Sequence, residues 1–553
     1  MPRTKGDAST GGTPTRIVVL SGPVGAGKST LAKALARRYN AAYLRTQELL
    51  HRHADDNGVD LPAERRAMQD YGDQLDQETG GAWVAEAVSA TISLRDVPQH
   101  LVIVDSVRRL SQIQALRAAF SRVDHIHVFA PEAVLDKRYR LRGDSSGLAE
   151  LGSYAEVAQN ETESEVSNLA DDADVAINTE HCDRKDVEIR AAAALRLLPS
   201  RDHRLVDVLI GGQYGSEGKG NIAYYLAGEY DLLVRVGGPN AGHKVPTEPV
   251  YTHRLLPSGT LANPGAQLLI GPGATLDIDV LLTEIAECHV EVGRLFIDPQ
   301  AMIIEEADIA AETGLVTGIG STGKGGGSAA ARRIMGRHSS DPPVRLARNA
   351  PELAAYIRPA TDVLDEAYRN RHRIFLEGTQ GTGLSAYHGS YPHVTSRDTT
   401  TGGCLAEAGV AWSRVRNVIM VCRTYPIRVM SPADGTSGPM KQDLDWSVIA
   451  QRSQIPVDEL LRTERGSVSF TQRRVAEFDW ELLRSAAELN GATEIALTFV
   501  DYLDKRNRAA RRYDQLQPGT ILFIEEIERV SGASVTLIGT RFDPRSVIDR
   551  RIR

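Results

Sequence analysis

Lys28 closes a glycine-rich run that begins directly after an apolar stretch, and that placement is enough to suggest a chemistry. Ile17-Val18-Val19-Leu20-Ser21 leads into Gly22-Pro23-Val24-Gly25-Ala26-Gly27-Lys28-Ser29-Thr30, and an Ala/Leu-rich segment follows at once. This is the G-x-x-x-x-G-K-[ST] pattern in the strand, loop and helix setting that it needs. Gly22, Gly25 and Gly27 let backbone N–H groups wrap a phosphate, Lys28 neutralises β/γ oxygens, and the Ser29 hydroxyl, with Thr30 beside it, can ligate magnesium. Asp105 ends the apolar run Leu101–Val104, a position from which a carboxylate holds the magnesium shell; a helix N-cap is the alternative role. Arg138, Arg140 and Arg142 are either a lid over transferring phosphates or a solvated basic face. Arg52, Arg65 and Arg66 are weaker candidates for contacts with a phosphoryl acceptor.

A second apolar run, Leu205–Ile210, enters Gly211-Gly212-Gln213-Tyr214-Gly215-Ser216-Glu217-Gly218-Lys219-Gly220, whose glycines are too close together for the first pattern. Further on stand Gly237-Gly238-Pro239-Asn240-Ala241-Gly242-His243, then Gly318-Ile319-Gly320-Ser321-Thr322-Gly323-Lys324-Gly325, then Glu377-Gly378-Thr379-Gln380-Gly381-Thr382-Gly383. Four such loops, interleaved with lone polar residues, imply a site that holds several phosphates and a small polar substrate together. A histidine beside a glycine turn can stabilise charge on an oxo group while phosphorylation makes that group able to leave. A lone histidine is more often a surface or satisfied core residue, so the weight rests on its surroundings.

These loops need parallel strands to aim them. From Thr15, short apolar runs (Arg16–Ser21, Leu101–Asp105, His125–Phe129, Val175–Asn178) alternate with helical stretches, the mark of a parallel sheet with crossover helices. A helix at about 185–198 ends at Pro199-Ser200-Arg201-Asp202, and a boundary is placed at 199–204. Beyond it a second α/β unit is expected from the runs Leu232–Val236, Gln267–Ile270, Arg373–Leu376, Val418–Val421 and Ile495–Val500, with a helix at 479–489. The organisation expected is a polar tail over 1–14, a P-loop parallel-sheet domain over 15–198 and a second α/β domain over 204–553. With 553 residues one core is too few. A net charge of -8 argues against a nucleic-acid partner, and no apolar run reaches a membrane span of roughly 18 residues. The four scattered cysteines lack metal-ligand spacing and suit a reducing, cytoplasmic setting.

Residues about 205–542 resemble the adenylosuccinate synthetase family, carried by these loops and by His388-Gly389-Ser390-Tyr391-Pro392-His393-Val394-Thr395-Ser396, Thr399-Thr400-Thr401-Gly402-Gly403, Arg473-Arg474 and Leu497-Thr498-Phe499-Val500-Asp501. The resemblance implies a magnesium-dependent carbon–nitrogen ligase, a homodimer, that activates the 6-oxygen of a purine nucleotide with an NTP and lets L-aspartate displace the phosphate. It implies His243 as general acid, Gln380 on the purine, and Asn240, Thr322 and Thr395 on the 5′-phosphate. Arg332, with Arg333 after the 318–327 loop, would clamp phosphate or else face solvent. Ser469, Thr471 and Arg473 would line the aspartate loop, Gly215, Glu217, Gly218, Lys219 and Gly220 the NTP phosphates, and the carbonyl of Gly242 with Ser216 would meet magnesium. Asp501 would read the donor base. Residues 15–198, with the closing Ala173-Asp174-Val175-Ala176-Ile177-Asn178 run, resemble P-loop nucleotide and dephospho-coenzyme A kinases. The fusion implies that this domain phosphorylates the ligase's substrate or product.

Three positions depart from the family pattern. Ser216 stands where the family carries an aspartate that takes the purine N1 proton, and serine is no base at neutral pH. Three outcomes follow: a non-catalytic nucleotide sensor, ligation of IMP with another base, or a guanine-type substrate whose 2-amino group the short hydroxyl admits. The last agrees with a resemblance of Gln213-Tyr214-Gly215-Ser216 and Pro239-Asn240-Ala241-Gly242-His243 to the phage 2-aminoadenylosuccinate synthetases, which use dGMP. Thr471 replaces an arginine near the ribose 2′-hydroxyl, which suits a deoxyribonucleotide. Phe499 replaces a lysine beside the donor base, so ATP and dATP stand beside GTP as donors.

Overall fold

A computed structural model describes residues 15–62, 65–93, 100–141, 154–155, 161–339, 342–433, 435–466, 471–543 and 545–551, without the side chains of 65–66 and 161–164. Ser469 and Arg142, and the side chains of Arg65 and Arg66, therefore lie outside the described residues. The chain divides into two compact units, Met1–Leu198 and Pro199–Arg553.

In the first unit five parallel strands lie in the order Ala42–Arg45, Leu101–Asp105, Arg16–Ser21, Val123–Phe129, Val175–Asn178. Both faces of the central strands are covered, so Ile17–Leu20 and Leu101–Val104 are continuous apolar runs, while the edge strand Ala42–Arg45 alternates. Val18 and Leu20 enter one core while Ile17 and Val19 enter the other. The strand Arg16–Ser21 hands directly to the glycine loop, and the helix Lys28–Arg38 starts at its end behind Gly27. Gly22 is required by the fold. Its φ is +138°, and a Cβ there would lie 2.0 Å from the Val128 carbonyl oxygen. We expect Gly22→Ala to cost this unit about 3 kcal/mol, or roughly 6–12 °C in its thermal transition. An unchanged melting curve would contradict that.

The second unit is built on nine strands, in the order Leu295–Ile297, Gln267–Ile270, Leu232–Arg235, Ile374–Glu377, Val206–Gly211, Val415–Arg423, Glu494–Thr498, Ser534–Gly539, Val547–Asp549. All neighbouring pairs are parallel except the last, where the edge strand turns back. Separate apolar cores cover the two faces. Because the central strands run the same way, the loops after Gly211, Arg235 and Glu377 leave from one edge of the sheet. That edge is where α/β sheets bind ligands. Among the described residues no helix is long and apolar enough to cross a membrane.

Candidate active site

The loop after Gly211 is held from inside. The Glu217 carboxylate is fully buried and accepts the backbone N–H groups of Gln213 (3.0 Å) and Gly215 (2.7 Å), while its other oxygen takes Lys219 Nζ at 2.6 Å. Glu217 thus shapes the loop and does not line the cavity, whereas Gly215, Gly218, Lys219 and Gly220 do. Gly215 and Gly218 have φ of +92° and +89°, conformations open to glycine. Gln213 ties the loop to the next strand in both directions, donating to the Arg423 carbonyl and accepting its N–H, each at 3.0 Å.

His243 sits at the centre of a buried ionic cluster. The parallel register sets Glu377 beside Arg235, and their side chains meet at 3.2 Å. Glu377 Oε1 also receives His243 Nδ1 and the Ser258 hydroxyl, and Oε2 accepts the Ser258 N–H at 2.7 Å. Burial pushes His243 down, and the Arg235 guanidinium adds to that. Burial pushes Glu377 up, but Arg235, His243 and Ser258 together outweigh it and hold the carboxyl well below its usual range. The imidazole is therefore neutral, with its Nδ1–H facing a carboxylate and its Nε2 buried and unpartnered.

A cavity of about 790 Å³ is lined by Ser216, Asn240, Gly242, His243, Thr322, Gln380, Thr395, Arg473 and Asp501 among others. Arg473 Nη1 donates to the Ser216 hydroxyl oxygen, joining two segments far apart in the chain. Gln380 adopts φ +64° and donates Nε2 to Thr395 Oγ1 at 2.7 Å, while its Oε1 is buried with no partner. A side chain held in a strained conformation with one acceptor unmet is poised for a donor from a ligand. Arg332 is not brought here. Its guanidinium is bound to Asp308 (3.0 and 2.5 Å) and to the carbonyls of Ile303 and Pro343, and Arg333 bonds the carbonyls of Pro272 and Gln300. Both arginines brace loops instead of facing the cavity. Thr471 is exposed and also lies off the cavity wall, its carbonyl accepting Gly466 N–H.

At the other end, Asp501 is buried with Oδ1 unpartnered and Oδ2 on Arg508 Nε at 3.0 Å. Burial raises its pKa to about 6, against the pull of Arg508. Phe499 has φ +58° and lies under the Arg423 guanidinium, 4.1 Å from the ring centre. Arg423 in turn bonds Glu464 and the Ser216 carbonyl. Arg235, Glu377, Ser258, Arg423, Glu464 and Arg508 were not singled out from the sequence. Only the Glu377 that opens its glycine loop carried any local signal.

In the first unit a cavity of about 1050 Å³ is lined by Gly25, Gly27, Lys28, Ser29, Thr30 and Arg138. Lys28 Nζ folds back on the carbonyls of Gly22 (2.5 Å) and Pro23 (2.9 Å). Arg138 is fixed on Thr179, while Arg140 pairs with Asp136 at the surface, so the proposed lid and the solvated face each have one arginine. Arg52 bonds Thr91 at 2.9 Å and does not line the cavity. Asp105 is fully buried behind Ser106, its oxygens taken by Tyr43 (2.8 Å) and Ser106 (2.9 Å).

Residues 208–339 and 343–510 match the family model for adenylosuccinate synthetase, and 17–170 match an AAA domain. The chain belongs to the adenylosuccinate synthetase family. It is similar to the adenylosuccinate synthetase of Methanococcus aeolicus, 35% identical over 355 residues that span 62% of this chain and 99% of that one. Among solved structures it is similar to a cyanophage S-2L succinoaminodeoxyadenylate synthetase bound to dGMP and dATP as an energy donor, at 27% identity and TM-score 0.53, covering 63% of this chain and 96% of that one. A fully ligated adenylosuccinate synthetase from Plasmodium falciparum shares the fold, at 19% identity and TM-score 0.55 over 62% of this chain and 99% of that one. The second unit is thus a carbon–nitrogen ligase of the synthetase type, preceded by a P-loop unit. Family members use magnesium. Among the described residues no three His, Cys, Asp or Glu are grouped to hold a metal, and the candidate ligands on two separate loops, Ser216 and the Gly242 carbonyl, are neutral oxygens. That donor set fits a magnesium ion carried mainly on substrate phosphates.

Proposed function

We propose that the ligase unit joins L-aspartate to carbon 6 of a guanine-type nucleotide, GMP or dGMP, with ATP, dATP or GTP as phosphoryl donor. The observation that carries this reading is the pairing at the purine end of the cavity. A short hydroxyl, Ser216, held by Arg473, stands where a carboxylate is expected, and the buried Gln380 Oε1 awaits a hydrogen-bond donor. The 2-amino group of guanine supplies donors that hypoxanthine lacks, and a buried acceptor left unmet costs about 1–3 kcal/mol. The dGMP bound by the cyanophage enzyme agrees with this choice, and Thr471 in place of an arginine favours the deoxy sugar.

In this reading the N1 proton is lost to water as the 6-oxygen attacks the γ-phosphorus, the bond to the β–γ bridging oxygen breaks, and the NDP leaves. The aspartate amine then adds at carbon 6, inorganic phosphate departs, and the amine nitrogen loses its proton. His243 Nε2 faces the 6-oxygen, where accumulating phosphoryl charge draws a proton onto the ring against the burial that keeps it neutral. Asn240, Thr322 and Thr395 hold the 5′-phosphate, Arg473 and Ser469 the aspartate carboxylates, and Gly215 to Gly220 with Lys219 the donor phosphates. The unmet Oδ1 of Asp501 receives the donor base. Magnesium, when bound, would neutralise phosphate charge, with Ser216 and Gly242 offering oxygens to it in this unit and Ser29 in the first. Leu315 and Val316, and Ile334 and Met335, are exposed apolar side chains on the two helices that flank the 318–325 loop, a composition that agrees with a homodimer contact.

The test is incubation of the full chain with aspartate and ATP or GTP, offering IMP, GMP and dGMP separately, with the succinyl-purine read by mass. Product from GMP or dGMP at a kcat/KM at least about tenfold above IMP is expected. Product from IMP alone overturns the guanine reading, and no product from any of the three leaves a nucleotide sensor.

A further inference from the structure

The cavity of the P-loop unit has a second end, beyond the phosphate loop, with a chemistry of its own. The wall opposite the P-loop is formed by Arg45, Arg108, Asp73, Asp76, Met68 and Trp83. About 1050 Å³ exceeds what one ligand occupies and leaves room for donor and acceptor together.

An alcohol acceptor needs a base to remove its proton. Among the described residues the carboxylates that reach the acceptor end are already engaged. Both Asp76 oxygens accept from Gln112 at 3.0 and 2.9 Å, and Oδ1 also accepts Trp83 Nε1 at 2.7 Å. Asp73 is paired with Arg109 at 2.8 Å. Asp105 has one oxygen under Tyr43 and one under Ser106, and lies behind the wall. What this end offers instead is cationic. Arg45 ends one strand, where it bonds Gln47 Oε1 at 3.1 Å and stands 3.7 Å from Glu48, and Arg108 follows the neighbouring strand; both side chains line the cavity. Such forks match phosphate oxygens. Leu50, Met68 and Trp83 give the same end an apolar floor, each less than a tenth exposed, against which a flat ring system packs.

We propose that the N-terminal unit is a kinase whose acceptor is a nucleoside monophosphate, held by Arg45 and Arg108 at its phosphate and by the Leu50, Met68 and Trp83 floor at its base. An oxygen of the acceptor phosphate, already anionic at neutral pH, attacks the γ-phosphorus of a nucleoside triphosphate. The bond from that phosphorus to the β–γ bridging oxygen breaks, and the electron pair leaves with the nucleoside diphosphate. The acceptor becomes a diphosphate, and no protein base takes part. This assignment does not depend on which purine the ligase unit uses.

The experiment offers the full chain ATP and magnesium without aspartate, together with dGMP, GMP, IMP and AMP, the corresponding nucleosides, and gluconate as a polyol. The products are resolved by ion-exchange chromatography and identified by the absorbance of their bases, because the ADP released in every transfer is itself a diphosphate; ³¹P NMR of the isolated acceptor product then separates a diphosphate, with its coupled doublets, from phosphate placed on a base oxygen. Diphosphate from at least one monophosphate, with none of the nucleosides or gluconate phosphorylated, is expected. Arg45→Gln and Arg108→Gln are each expected to raise the acceptor KM about tenfold, the loss of one charge-assisted contact. The ATP dissociation constant, measured by titration, should stay within about twofold and so reports an intact fold in each variant. Transfer to a nucleoside or to gluconate overturns the proposal. So does the absence of diphosphate from every monophosphate, or an unchanged acceptor KM in both variants with ATP binding intact.

Discussion

His243→Ala is expected to lower kcat for succinyl-purine formation by about 10³-fold, within the range of one positioned acid–base group, while KM for the nucleotide and for aspartate moves by less than about threefold. The outer nitrogen of the ring, Nε2, is buried and unpartnered on the cavity wall, and Glu377 fixes the opposite nitrogen. Its loss removes stabilisation of charge on the 6-oxygen, which is greatest in the transition state. Glu377→Gln separates positioning from contact. An amide keeps the size but presents either an acceptor or a donor toward Nδ1, so the imidazole tautomer is no longer fixed, and kcat should fall about 10²-fold. The same change leaves Arg235 as a buried charge without its counter-ion, at a cost of about 3–5 kcal/mol, so the melting temperature should drop as well. His243→Ala carries no such penalty, and comparing the two by calorimetry and steady-state kinetics distinguishes chemistry from folding. A His243→Ala enzyme that keeps more than a tenth of kcat would remove His243 from the reaction.

Ser216→Asp is the second large effect expected. The longer carboxylate fills the space beside purine position 2 and adds a base able to take the N1 proton. It would also ion-pair with Arg473, which already donates to this side chain. We expect the ratio of kcat/KM for IMP to that for dGMP to rise about 100-fold, combining a gained base with a crowded 2-amino group. Parallel time courses on IMP, GMP and dGMP read the ratio directly. If it stays put, the specificity resides elsewhere, and Gln380, whose Oε1 lacks a partner, becomes the position to change next.

The sequence by itself determined what is local. The spacing of Gly22, Gly25, Gly27 and Lys28 after an apolar run defined the phosphate loop, because that chemistry is made by consecutive backbone N–H groups. Runs such as Gln267–Ile270 and Leu101–Asp105 were legible to the residue, since strands buried on both faces are continuous apolar segments. Short strands without such a run were not. Ala42–Arg45 ends in a charge, and Val547–Asp549 is an antiparallel edge of three residues. The four glycine loops of the ligase unit announced phosphates and could not say which side chains would stand together. Only tertiary structure decided that Glu377 lies beside Arg235, through strand register across 142 positions, and that Arg473 reaches Ser216 across 257. It also turned Glu217 inward to shape its loop and tied Arg332 to Asp308. The physical reason is the same in each case. Hydrogen-bond and ion-pair partners of buried charges come from whichever strand or loop the fold brings alongside, and no periodicity in the chain records that neighbour.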